Sequence, residues 1–231
     1  GITNKLMKDA AKKICVAYDG MDRFFPLDKL VITGNPIRQD ILASDVASEE
    51  SLAYFSLKEN KKTVLIVGGS LGARTINEAI EANLENLKKE NIQLLWQTGK
   101  NYNGEFGEFE WGTRTAFIKR MDMAYKVADV VISRAGAMSV SELSALGKAT
   151  IFVPSPFVSE DHQTKNAMSL VHKNAALLCK DAEAKEKLGV EVIALLNDTA
   201  QVAALEQEIK KLGLPLAAQN IVNEIVADLG S

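Results

Sequence analysis

The chain has 231 residues, of which 47% are hydrophobic and 25% charged, with a formal net charge of -3. That is ample apolar material for one large domain, or one domain and part of another, and too little positive charge for a general affinity for nucleic acid. No run approaches the roughly 18 apolar residues of a membrane span, and no signal peptide is visible. Cys15 and Cys179 lie far apart, with no C-x-x-C and no neighbouring histidine, which reads as two free thiols in a reducing compartment rather than a metal site.

Residues 1–35 read as a helix carrying Lys5, Lys8, Lys12 and Lys13, then strands at 14–18 and 30–33, the second ended by Gly34-Asn-Pro36. Proline lacks the N–H that a ladder needs and holds the preceding residue extended, so a domain boundary is expected near Asn35-Pro36. Two strands and a helix make a poor domain alone, and the first residue is Gly1, so the expectation is a chain that begins inside a longer protein. From residue 62 a regular alternation begins, with strands expected at 63–67, 93–97, 115–118, 130–133, 150–153 and 176–178, and helices near 74–89, 122–127, 139–146 and 162–173. The strands are mostly continuous apolar runs, the pattern of strands covered on both faces. Strand and helix in alternation imply an α/β fold with a parallel, Rossmann-like sheet and right-handed crossovers. Loops are expected near 99–112 and 154–161, and the tail from 183 reads as helices interrupted at Gly213-Leu-Pro215.

Chemistry-bearing residues gather where strands give way to helices. Val67-Gly-Gly-Ser-Leu-Gly-Ala-Arg74 puts Gly69, Ser70 and Gly72 in such a turn, where glycines let the backbone approach a phosphate and Ser70 can donate a hydroxyl. Its spacing is neither G-x-G-x-x-G nor a P-loop, and Thr75-Ile-Asn-Glu78 also reads as a capping box that merely starts the helix. The stretch 130–147 is a second strand–turn–helix junction. Helix N-termini leave N–H groups unpaired at the positive end of the dipole, which suits an anion, and Glu142 is an acceptor suited to sugar hydroxyls. Here too a bland alternative stands, because Ser139-Val-Ser-Glu142 is itself a capping box. Asp161-His-Gln-Thr-Lys-Asn-Ala167 brings His162 and Gln163 to the same edge, with Gln163 offering both donor and acceptor. Arg38 sits at the expected boundary. Ile118 and Met121, at a strand end, read as core or as a cleft wall whose backbone can meet a flat base. No Ser–His–Asp set, carboxylate pair or metal cluster is visible. The residues by themselves point to a nucleotide-type ligand on an α/β sheet, with ligand binding beyond the carboxyl ends of the strands.

Taken together, Gly34-Asn-Pro-Ile-Arg38, Gly68-Gly-Ser-Leu-Gly-Ala-Arg74, Ser133-Arg-Ala-Gly-Ala-Met-Ser-Val-Ser-Glu142 and Asp161-His-Gln-Thr-Lys-Asn-Ala167 closely resemble, in order and at matching intervals, the MurG family of peptidoglycan glycosyltransferases. The resemblance spans nearly the whole chain and is weakest over 183–200. It implies the GT-B fold, in which two Rossmann-like domains face each other across a cleft. Residues 1–35 are then the end of an acceptor-binding domain, 36–212 the UDP-sugar domain, and 213–231 a helix packing back toward the first domain. The family transfers N-acetylglucosamine from UDP-GlcNAc to lipid I, an undecaprenyl-linked acceptor, giving lipid II.

By position, the resemblance puts Ser70 at the nucleotide phosphates beside Gly69 and Gly72, and Ile118, with Met121 near it, at the uracil. Ala137, Met138, Ser139, Val140 and Ser141 line the diphosphate and sugar, and Glu142 holds the ribose hydroxyls. Gln163 binds the N-acetylglucosamine with His162 adjacent, and Arg38 reaches the donor from the interdomain linker. No catalytic residue is expected on this chain, since neither His162 nor His172 matches the family's proposed catalytic histidine, and no cofactor or metal is implied. The implied partners are UDP-GlcNAc, lipid I and the cytoplasmic face of the bacterial plasma membrane, where the protein is peripheral, with no nucleic acid. The alternatives are a UDP-sugar epimerase of the same architecture, a dinucleotide-dependent oxidoreductase, which the missing G-x-G-x-x-G disfavours, and a non-catalytic nucleotide-binding module.

Overall fold

The computed structural model describes residues 2–18, 20–102, 107–109, 111–158 and 161–229, so the loops expected at 99–112 and 154–161 lie partly outside the described residues. Contacts divide the chain into two units, Gln39–Gly213 and a smaller one of Gly1–Arg38 with Leu214–Ser231.

In the larger unit, strands β3 (Thr63–Val67), β4 (Gln93–Gln97), β7 (Val130–Ser133), β8 (Thr150–Phe152) and β9 (Leu177–Leu178) lie close to the expected runs. With β5 (Gly107–Phe109) and β6 (Gly112–Thr115) they form one sheet in the order β5-β6-β4-β3-β7-β8-β9, parallel except for the β5–β6 pair. Residues of the three central strands are covered on both faces: Leu65, Ile66, Leu94, Leu95, Trp96, Val131 and Ile132 are fully buried. That explains why these strands read as unbroken apolar runs.

The helices cover the sheet. In α4 (Arg74–Lys89), Ile76, Ala79, Ile80, Asn83 and Leu87 recur at helical spacing on the buried face. This helix packs on α8 (Ala184–Asn197), whose Leu188, Val192 and Leu195 join the same core. Helices α2 (Gln39–Leu42), α3 (Ser48–Tyr54), α5 (Met121–Val127), α6 (Ala137–Leu146), α7 (His162–Val171) and α9 (Thr199–Lys211) complete the unit. The α/β, Rossmann-like parallel sheet expected from the sequence is the fold observed.

The expected strand at 115–118 is a correction. The strand is β6, Gly112–Thr115, and Ile118 lies in the loop beyond it. After Thr115 the backbone leaves the ladder, and the N–H of Ile118 donates to the side chain of Gln97 instead of to a strand, at 2.8 Å. Strand β5 was expected as loop. It pairs antiparallel on the outer side of β6 as an edge strand of three residues.

In the smaller unit, β1 (Ile14–Val16) and β2 (Leu30–Ile32) pair in parallel, with α1 (Ile2–Met7) before them. The final helix, α10 (Ala217–Leu229), belongs to this unit. Gly34, at φ +87°, packs so closely that a Cβ there would lie 2.8 Å from the Leu214 Cβ, and Asn220 donates to the Thr33 carbonyl at 3.5 Å. Lys12–Asp228 and Lys13–Glu224 ion pairs add little on an exposed surface.

Among the described residues no single helix is long and apolar enough to cross a membrane. The pair Asp181–Asn197 and Thr199–Lys211 passes by composition but bends by 96°, and its Leu188, Val192 and Leu205 are core residues.

The two cysteines differ in environment. Cys15 is exposed, whereas Cys179 is buried, and burial, reinforced by the nearby Glu191 charge, pushes its thiol up to about 12. A thiol reagent at pH 8 is therefore expected to label the native chain at Cys15 alone and both cysteines in denaturant. Labelling of Cys179 at a rate matching Cys15 in the native state contradicts this packing.

Candidate functional site

Strand register sets the site. Thr115 is level with Gln97, Gln97 with Val67, Val67 with Ser133, Ser133 with Phe152 and Phe152 with Leu178. Parallel strands therefore end together, and the loops after β3, β6, β7 and β8 leave from one edge. The chain moves from β3 through α4 to β4 on one side, then returns through α5 to β7 on the other. The crossovers thus reverse between β3 and β7, and at such a reversal the loops diverge and leave a crevice at the carboxyl edge.

On one side of that crevice is the glycine loop. Gly69 and Gly72 have φ of +91° and +85°, in the left-handed region, and the Gly72 N–H donates to the Gly69 carbonyl at 3.1 Å. A Cβ on Gly72 would lie 2.0 Å from the Thr98 carbonyl oxygen, and one on Gly99 would lie 2.0 Å from the Gly72 nitrogen. The loops after β3 and β4 therefore meet backbone to backbone. At Gly69 a Cβ would meet nothing within 4 Å, and Gly69 and Ser70 are both exposed, so this part of the loop faces open space. The expected capping box of Thr75 and Glu78 is not formed. α4 starts at Arg74 without a side-chain cap, Glu78 accepts from Arg74 Nε at 2.6 Å, and Thr75 Oγ1 donates to Asp181 at 3.0 Å.

Gln97, the buried last residue of β4, joins two of these loops. Its Nε2 donates to the Gly69 carbonyl at 3.1 Å and its Oε1 accepts from the Ile118 N–H at 2.8 Å. Ile118 is 2% exposed, so its side chain is core rather than a cleft wall. Met121 is the first residue of α5. Next to it, Asp122 accepts from Arg120 at 2.9 and 2.6 Å and from Ser44 at 3.1 Å. The Arg120 guanidinium holds the Asp122 carboxyl down, from an ordinary value of 3.8 to about 2.

On the other side, α6 starts at Ala137 with Gly136 as N-cap and no capping side chain. Its early residues Ala137 and Met138 are exposed, Ser139 and Ser141 are half-buried, and Val140 turns its side chain into the core at 1% exposure. Because the helix begins two residues before the expected Ser139, Glu142 is its sixth residue, out of reach of the N-cap. The capping-box alternative for Glu142 is thereby excluded. Its carboxylate instead accepts from the Tyr125 hydroxyl at 3.1 Å. Arg134, ahead of the turn, donates to the Val153 and Pro154 carbonyls and pairs with Asp181, tying the loops after β7 and β8 to the start of α8.

His162 and Gln163 open α7. His162 is exposed, and Gln163 accepts from the Ser155 N–H at 2.9 Å, which leaves its amide N–H groups as donors. Asn166 donates to the Ala135 carbonyl at 3.0 Å, binding α7 to the turn before α6. The edge thus carries Gly69, Ser70, Gly72, Ile118, Met121, residues 137–142, His162 and Gln163. Arg38 belongs to the smaller unit. Gln97, Tyr125 and Arg134 escaped the sequence reading; a glutamine closing the apolar run Leu94–Trp96 was the one visible signal. Among the described residues no group of three or more His, Cys, Asp or Glu side chains could hold a metal.

The Arg120–Asp122–Ser44 cluster has a measurable consequence. The folded chain holds the Asp122 proton less tightly than the unfolded one, so the stabilisation is present above about pH 4 and is lost as pH falls toward 2. Asp122→Asn is expected to cost about 1–2 kcal/mol at pH 7, and the gap from the unsubstituted chain should close between pH 4 and 2. A gap independent of pH contradicts the pairing.

Residues 63–221 match the family model described as the glycosyltransferase family 28 C-terminal domain. The chain is 48% identical over 229 residues to the Flavobacterium psychrophilum protein named UDP-N-acetylglucosamine--N-acetylmuramyl-(pentapeptide) pyrophosphoryl-undecaprenol N-acetylglucosamine transferase, covering 98% of this chain and 62% of that protein. It is similar to the crystal structure of Acinetobacter baumannii MurG, with a TM-score of 0.73 and 27% identity over 98% of this chain and 63% of the other. A UDP-N-acetylglucosamine 2-epimerase structure shares the fold alone, with a TM-score of 0.61 at 16% identity over 91% of this chain and 54% of the other.

Proposed function

The chain belongs to the glycosyltransferase family 28 C-terminal domain family, and from that premise we propose that it is the donor-binding part of an inverting glycosyltransferase that moves N-acetylglucosamine from UDP-GlcNAc to lipid I. One observation carries the reading. An exposed, left-handed glycine loop and the start of the ten-residue helix α6, with Gly136 as its N-cap, flank the point where the crossovers reverse, an arrangement suited to a diphosphate.

In this reading the diphosphate lies between Ser70, with Gly69 and Gly72, and the first turn of α6 at Ala137, Met138 and Ser139, while Val140, buried and with its N–H donated to the Gly136 carbonyl, supports that turn from beneath. Ser141 borders the sugar. The Ile118 carbonyl accepts from the N3–H of uracil, its N–H being committed to Gln97, while Met121 borders the base. Glu142 accepts from the ribose hydroxyls. Gln163 donates to the N-acetylglucosamine with His162 beside it, and Arg38 contacts the donor from the linker.

In the displacement, the acceptor's sugar hydroxyl forms a bond to the anomeric carbon as the bond to the diphosphate oxygen breaks. Its proton passes to a base, and UDP departs. The α6 dipole and the loop N–H groups stabilise charge building on the leaving diphosphate, a role that calls for no carboxylate-held metal. The base is assigned to the part of the relatives that this chain, at 62% of the length of the one above, does not span. The chain by itself is thus expected to bind donor without turning it over. The intact protein is assigned to the cytoplasmic face of the bacterial plasma membrane, where a lipid-linked acceptor resides; exposed Leu6 and Met7 on α1 suit such a contact.

Titration calorimetry tests the donor site. UDP is expected to bind at least about tenfold more tightly than ADP or NAD, and Glu142→Ala to weaken UDP about tenfold with an unchanged melting temperature. Equal binding of the three nucleotides, or none, contradicts the proposal.

A further inference from the structure

We propose that Tyr125 is a positioning residue for Glu142 and, through it, for the ribose hydroxyls of a uridine nucleotide; this rests on the ribose role given to Glu142 above. Tyr125 is 5% exposed and, with Met123 and Ala124, is one of the three buried residues of α5. A phenylalanine would fill that space equally well, so packing does not account for the hydroxyl. Its hydrogen bond to Glu142 Oε2, at 3.1 Å, crosses from α5 to α6.

A glutamate has three side-chain torsions, and each left free is entropy to be lost when a ligand binds. The Tyr125 hydroxyl removes part of that freedom in advance. A carboxylate has about four lone-pair sites, so the Tyr125 bond at Oε2 does not by itself use up its acceptor capacity.

The placement of α5 adds a second link. Its first turn follows the Ile118 backbone directly and is fixed by Asp122, bound to Arg120 and Ser44. One turn later Tyr125 reaches Glu142. The helix that sets the base-facing loop therefore also sets the ribose-facing carboxylate, so base and ribose recognition share one rigid support.

The test is the affinity of Tyr125→Phe for UDP and for 2′,3′-dideoxy-UDP, which lacks the hydroxyls. The expected result is a loss of about five- to tenfold for UDP, no change for the dideoxy nucleotide, no further loss when Tyr125→Phe is added to Glu142→Ala, and a melting temperature lowered by no more than about 2–4 °C. Unchanged UDP affinity overturns the proposal, and so does an equal fall for both nucleotides, which marks a packing role. If the unsubstituted chain binds both nucleotides equally, the ribose role of Glu142 itself fails and the proposal falls with it.

Discussion

The register of the parallel strands is the constraint on which the rest depends. Thr115, Gln97, Val67, Ser133, Phe152 and Leu178 are level with one another across the sheet, so loops separated by up to about a hundred residues in sequence emerge from one edge. Slipping β7 by one residue would draw Asp129 or Arg134, the charged residues that flank the buried run Val130–Ser133, toward the covered part of the sheet. Hydrophobic patterning therefore fixes the height at which the functional loops begin, and the reversal of crossovers between β3 and β7 fixes where they part.

Given that edge, its polar groups are held by bonds that do not involve a ligand. Gln97 ties the glycine loop to the Ile118 loop, Arg134 ties the loops after β7 and β8 to Asp181, Asn166 ties α7 to the turn before α6, and Tyr125 ties Glu142 to α5. The contact of Gly72 with Gly99 leaves no room for a side chain on either. An edge assembled before the ligand arrives costs less to order when it binds. In the proposed reaction, donors already aimed at the leaving diphosphate need no reorganisation as charge develops.

Much of this was legible from residues. Unbroken apolar runs located β3, β4 and β7, because burial on both faces leaves that trace. Gly69 and Gly72 marked the turn, because left-handed backbone favours glycine. The reading failed where tertiary hydrogen bonds override local pattern. Phe117 and Ile118 looked like strand, yet the Gln97 side chain captures the Ile118 N–H and takes the chain out of the ladder. Two S/T-x-x-E patterns looked like capping boxes, yet both helices start elsewhere and both glutamates bond other partners, Arg74 and Tyr125. Tyr125 and Gln97 stayed hidden because their partners are distant in sequence, and only packing brings them together.

The central claim is that the carboxyl edge between β3 and β7 receives the diphosphate of a uridine nucleotide. The most direct measurement is a backbone amide NMR titration of the chain with UDP. The account predicts that the perturbed amides cluster at Gly69, Ser70, Gly72, Ile118 and residues 137–142. Perturbations confined to the amino edge, where Ser48, Glu59, Lys62 and Asp129 line a separate cleft, would contradict it, as would a spectrum that UDP leaves unchanged.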